Sequence, residues 1–153
     1  MMYAKGNDFI KDFAKRTRAN LSVAENGPYE VTQLINSMVG LLIIPQTKQF
    51  KNITDSLIDG ELLNKIKKCI ESNSYRKSIN LQQISRHLRN AVAHSNIEFE
   101  AEKPNITTQP LIIHSVRFMD SNKDTGESIS IKIELDLLKD FLFAFSDSIS
   151  NLS

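Results

Sequence analysis

The feature that most restricts how this chain can fold is a change of hydrophobic period. From Asp8 to about His94 the apolar residues recur at helical intervals, whereas in "SISIKIEL" Ile129, Ile131, Ile133 and Leu135 alternate strictly with Ser130, Lys132 and Glu134. A period near 3.6 lines up side chains along one stripe of a helix, and a period of two lines them up on one face of a strand. The chain must therefore pair a helical part with a β part, and the β part must have one wet face.

Before the change, Phe9, Ile10, Phe13, Ala14 and Leu21 predict a first helix, with Lys11, Lys15, Arg16 and Arg18 outside and "NGP" at 26–28 ending it. A second helix, about Tyr29 to Ile43, carries Val31, Leu34, Ile35, Met38, Leu41 and Leu42, with Pro28 in its first turn and Pro45 closing it. A short helix near Thr54–Ile58 and one at Glu61–Ser72 follow, the latter burying Leu62, Leu63, Ile66, Cys69 and Ile70. Asn80, with Gln83 three residues on, reads as the N-cap of a helix through about His94. Residues Glu98–Pro110, with the acidic cluster Glu98, Glu100 and Glu102, read as a loop. "LIIHSVRFMD" and "SISIKIEL", joined by "SNKDTGE", form a hairpin at about 111–135, and a last helix from Asp136 to about Ser150 buries Leu138, Phe141, Leu142, Phe145 and Ile149. The fold expected is mainly α: a bundle of about five helices with one β-hairpin inserted before the last, in a single domain over 1–153.

A chain of 153 residues, 41% hydrophobic and 24% charged, supports one such core rather than two. The longest apolar run, "MVGLLII", falls far short of the roughly 18 residues of a membrane span. The start lacks the apolar core of a signal peptide, and a lone cysteine, Cys69, excludes an internal disulfide framework and a multi-Cys zinc site. A soluble cytoplasmic protein without membrane contact is expected, with Cys69 as a small core residue. Charge is unevenly spread: residues 1–90 hold 14 Lys/Arg against 8 Asp/Glu, and residues 91–153 hold 5 against 10. That asymmetry suits a basic face for phosphates, one half of a self-complementary dimer, or an ordinary solvated surface.

The chemistry concentrates in "RHLRNAVAHSN", residues 86–96. At about 100° per residue from Leu88, the apolar Leu81, Ile84, Ala91 and Val92 cluster near zero. Arg89 then falls near ~100°, Arg86 near ~160°, Asn90 near ~200°, His94 near ~240° and His87 near ~260°. This polar side holds no carboxylate, whereas solvated helix faces usually mix signs. It favours an anionic partner. Arginine offers a permanently charged fork for phosphate, and histidine an acid or base. RNA carries its own nucleophile, the 2′-OH, so these two kinds of group suffice for strand cleavage without a metal. Arg86 and His87 are read from the wheel alone as phosphate contacts. The competing reading is a polar helix end whose histidine is favoured by the dipole. Gly-rich phosphate loops, HExxH and CxxC are absent, and neither a metal nor a cofactor is expected.

Arg89-Asn90-Ala91-Val92-Ala93-His94 resembles the R-x(4–6)-H motif of the HEPN superfamily, in which a polar residue commonly follows the arginine. "YEVTQLINSMVGLLIIPQ", the later "LRNAVAHSN" and a hairpin together resemble plasmid- and phage-defence-associated HEPN proteins over most of the chain. The resemblance implies a metal-independent ribonuclease, toxin or defence related, whose two subunits build one composite RNA-cleaving site. Arg89 would hold the scissile phosphate, His94 would move protons and Asn90 would orient the site. It also implies an alternative: a non-catalytic RNA- or nucleotide-binding dimer or scaffold, partnered by an antitoxin or a nucleotidyltransferase.

Overall fold

The computed structural model describes residues 7–24, 30–43, 50–102, 112–149 and 151–152. Helices α1 (Asn7–Ala24) and α2 (Glu30–Ile43) pack on each other. Two single-turn 3₁₀ segments, Phe50–Asn52 and Asp55–Leu57, lead into α3 (Gly60–Lys68), strand β1 (Ile70–Asn73) and α4 (Leu81–Ala93). Strands β2 (Ile97–Glu102), β3 (Ile112–Ser121) and β4 (Ser128–Glu134) precede α5 (Leu135–Ile149). Pro28 and Pro45, the expected helix punctuation, and the stretch 103–110 lie outside the described residues.

A mainly α bundle with one hairpin is not what forms. The described residues hold five α-helices and a four-stranded antiparallel sheet in the order β1-β4-β3-β2, so the fold is mixed α/β. Two strands account for the difference. The run expected to stay helical to Ser72 stops at Cys69, and Ile70 begins β1, with Ile70 opposite Ile131 and Ser72 opposite Ser130. Residues expected as a loop from Glu98 form β2, where Glu98 faces Arg117 and Phe99 faces Val116. Both are decided by partners far away in sequence, which local periodicity does not contain.

The sheet has one dry face and one wet one. Val116, Phe118, Ile129, Ile131 and Ile133 are buried, together with Leu138, Phe141, Leu142 and Phe145 of α5 and Leu81, Ile84, Leu88 and Ala91 of α4. On the wet face Arg117 binds Glu71 with both Nε (2.7 Å) and Nη2 (3.0 Å), and also pairs with Glu98 and Glu100. Ser130 donates to Glu71 as well, at 2.9 Å. The Glu98 and Glu100 carboxylates thus match cations across the strands. Cys69 is half-buried, its thiol bonding the Lys65 carbonyl, and burial pushes its pKa up.

Helix α4 positions everything that follows. Its N-terminus is closed by a capping box, in which Asn80 accepts from the Gln83 amide at 2.8 Å and Gln83 Oε1 accepts from the Asn80 amide at 3.0 Å. Asp55 takes a further first-turn donor, the Leu81 amide, at 2.7 Å. Such a cap contributes about 1 kcal/mol. The helix packs on α2 and on β3, so it is covered on two sides, and Ser85 and His87 are buried along with its apolar stripe.

Candidate active site

The C-terminal end of α4 is built as tightly as its start. The Asn96 amide reaches back to the Ala91 carbonyl (2.8 Å) and the Ser95 amide to that of Val92 (3.1 Å), a Schellman closure with Ser95 left-handed at φ 56°. A non-glycine residue there costs roughly 1–2 kcal/mol. The next carbonyl, of Asn96, accepts from the Met119 amide at 3.0 Å and so ties the helix end to β3. His94 is the C-cap residue and is exposed. Among the described residues nothing hydrogen-bonds its ring.

A chain of six polar contacts runs alongside the helix. Arg89 Nε donates to Asn90 Oδ1 at 3.1 Å, and the Asn90 amide donates to Asp120 Oδ2 at 3.1 Å. The same oxygen lies 2.6 Å from His87 Nδ1, and His87 Nε2 lies 2.6 Å from the Tyr75 hydroxyl. Arg86 Nη2 donates to that hydroxyl oxygen and to Glu127, each at 2.9 Å. Arg86 can only donate, and burial, the largest influence on Tyr75, raises its pKa and keeps its proton. Tyr75 therefore passes its hydrogen to His87 Nε2, and His87 gives the hydrogen on Nδ1 to Asp120. This assignment gives both ring nitrogens of His87 and the Tyr75 hydroxyl complementary partners.

Arg89 differs from the other arginines here. Its guanidinium lies 5.8 Å from the centre of the Phe50 ring, within cation–π range. Gln82 fixes Phe50 through the Phe50 carbonyl at 2.9 Å. Burial first, then the charge of Arg86, lowers the Arg89 pKa against the opposing pull of Asp120, but arginine stays charged at any working pH. Among the described residues no carboxylate pairs with it, whereas Arg86 and Arg117 are paired. Beside this chain, a cleft of about 400 Å³ is lined by Asn90, His94, Asn96, Asp120, Asn122 and Lys123. Lys123 sits in the β3–β4 turn, where Asn122 accepts from the Asp124 amide and Gly126, at φ 71°, supplies the left-handed step.

The residues singled out in the sequence thus divide. Arg86, His87, Arg89 and Asn90 belong to one hydrogen-bonded chain, while His94 stands outside it and lines the cleft together with Asn90. His87 is not on an open polar face. It is 2% exposed with both ring nitrogens engaged, because β3 covers that side of the helix, and it has no atom free for a phosphate. Nor is the face free of carboxylates, since β3 supplies Asp120 and the β3–β4 turn supplies Glu127. The sequence reading missed Phe50, Tyr75, Asp120, Lys123 and Glu127. Asp120 left a signal: it shares the inward parity of Val116 and Phe118, and a carboxylate on a dry strand face needs a partner. Nothing local marked Tyr75. No group of three or more His, Cys, Asp or Glu among the described residues is placed to hold a metal ion.

The family that Arg89, Asn90 and His94 resemble is the one to which the comparison of the whole chain leads. The family model described as HEPN pEK499 p136 matches residues 1–153, and the chain belongs to that family and through it to the HEPN superfamily. No curated protein matches the chain, and no solved structure does. Membership is consistent with an RNA-related or toxin function of the HEPN type. Among the described residues no helix is long and apolar enough to cross a membrane.

Proposed function

We propose that the protein is a metal-independent endoribonuclease with a toxin or defence role, in which two copies bring Arg89 and His94 together in one composite cleft. One observation carries this reading. Arg89 and His94 keep their functional ends uncommitted among the described residues, while Asn90, Asp120, His87 and Arg86 around them are engaged with one another.

The chemistry follows from these groups. Arg89 binds the non-bridging oxygens of the scissile phosphate and offsets the charge that builds there. One His94 takes the proton of the 2′-OH as its oxygen attacks phosphorus, and the bond from phosphorus to the 5′ oxygen breaks. The second copy's His94 protonates that leaving oxygen, so the products are a 2′,3′-cyclic phosphate and a free 5′-OH. Lys123, in the same cleft, binds a neighbouring phosphate. RNA and a second copy of the chain are the partners this requires, and an antitoxin or nucleotidyltransferase is the further partner that a toxin role implies.

The test is RNA cleavage by purified protein in EDTA, with a DNA control. Arg89→Ala and His94→Ala should each lower the rate by roughly a thousandfold or more with unchanged circular dichroism, while Lys123→Ala should mainly raise KM, by about three- to tenfold. Cleavage that survives both motif substitutions removes the assignment. Salt-sensitive RNA binding without products replaces it with the non-catalytic dimer or scaffold.

A further inference from the structure

The motif arginine is held through a link that does not neutralise it, and the holding group lies on the sheet. Asp120 is 9% exposed and its Oδ2 serves two donors at once, His87 Nδ1 and Asn90 Nδ2. An asparagine whose amide nitrogen must point to a carboxylate can only present its oxygen on the other side. That oxygen is the acceptor for Arg89 Nε. The Nε bond and the Phe50 ring, 5.8 Å away, restrain the guanidinium, while its Nη atoms make no hydrogen bond among the described residues. Had Asp120 bonded Arg89 directly, the same geometry would have come with a quenched charge, as at Arg117, whose fork is taken up by Glu71. Asn90 is therefore a spacer.

We propose that Asp120, held by His87 and Tyr75, is a positioning residue that orients Arg89 through Asn90 for phosphate binding. The inference rests on the reading of Arg89 as the phosphate-binding group, but the orientation itself is measurable without RNA. Asp120 borders the cleft but is 9% exposed, its Oδ2 is taken up by His87 and Asn90, and in this scheme it does not bind the phosphate. Its effect reaches the phosphate only through the two intervening side chains.

The experiment uses the full chain, labelled with ¹⁵N, and follows the Nε–H resonance of Arg89, assigned by its loss in Arg89→Ala. The parent protein should show it as a separate, slowly exchanging signal. Asp120→Asn, which keeps an oxygen for the Asn90 amide, should retain it. Asp120→Ala should merge it with the averaged signals of exposed arginines. Asn90→Ala, which cuts the link but leaves the Asp120–His87 contact in place, should do the same and stands in if Asp120→Ala does not fold. An Arg89 signal unchanged in position and exchange in either folded variant overturns the proposal. In the cleavage assay, Asp120→Ala should lower kcat by about a hundredfold, the cost of a misplaced group, with KM within about threefold, and Asp120→Asn should recover much of the loss. Normal kcat in Asp120→Ala also overturns it. A parent protein that cuts no RNA, but whose Arg89 signal is released by Asp120→Ala, refutes the ribonuclease reading and leaves the positioning intact.

Discussion

The open face of the sheet and the space beneath α4 both gather arginines and carboxylates, and they use them differently. On the sheet, Arg117 is surrounded by Glu71, Glu98 and Glu100, all in contact with solvent, and the charges cancel where they stand. Beneath α4 the groups form a line from Glu127 through Arg86, Tyr75, His87, Asp120 and Asn90 to Arg89. Its middle is buried and its end is a cation without a carboxylate among the described residues. The first arrangement holds strands in register and leaves nothing for a ligand. The second holds a charge in place and leaves it available. Burial also sets the worth of each contact, because water weakens exposed pairs while a broken buried pair strands its partner.

That difference is broken most severely at His87. Replacing it by alanine leaves the Asp120 carboxylate and the Tyr75 hydroxyl without their ring partner, which costs about 3 kcal/mol and lowers the thermal midpoint by roughly 10 °C. A shift of only a degree or two would show that water fills the site at little cost. Tyr75→Phe tests the next link. It removes one hydroxyl that serves both Arg86 and His87, and chemical denaturation should show a loss of about 2 kcal/mol with an unchanged m-value. The smallest effect belongs to the sheet. The Arg117 guanidinium, before all else, holds the Glu71 carboxyl down at about 2 from an ordinary 4.5. A depressed carboxyl stabilises the fold fully above the ordinary value and loses that contribution as pH falls from about 4.5 toward about 2. Glu71→Gln should therefore lower the midpoint at neutral pH, only modestly because the pair is exposed, and converge on the parent near pH 2, which flattens the acid side of the profile. An acid limb identical to the parent's would assign that loss to other carboxylates.

What could be seen in advance follows the same division between local and distant causes. The start and end of α4 were legible because Asn80, Gln83 and the apolar stripe are all within one helix. The alternation of Ile129, Ile131 and Ile133 marked β4 for the same reason. Ile70–Asn73 was not legible as a strand, since "ELLNKIKKCIES" is a sound helical pattern until Cys69 and only pairing with β4 tells it to stop. The three glutamates of β2 looked like a solvated loop because Arg117, which matches two of them, lies on the next strand. A helical wheel allows one dry side and one wet side. Helix α4 has α2 on one flank and β3 on another, so His87 was assigned to water and Asp120 to no role. The motif residues and strand β3 were both visible; that β3 lies against α4 and brings Asp120 to His87 and Asn90 was not.

The strand order has a consequence for the making of the protein. β1 and β4 pair although some sixty residues separate them, and β4 lies between β1 and β3. A chain leaving the ribosome releases Arg89 and His94 well before Asp120, and Asp120 before Glu127. During that interval α4 has α2 to rest on but no β3, and Asn90 has no carboxylate to set its amide. The arginine is thus held in place only after the hairpin has emerged and closed. Under the ribonuclease reading proposed above, a chain still being made carries its motif arginine unbraced until its last two strands are in place.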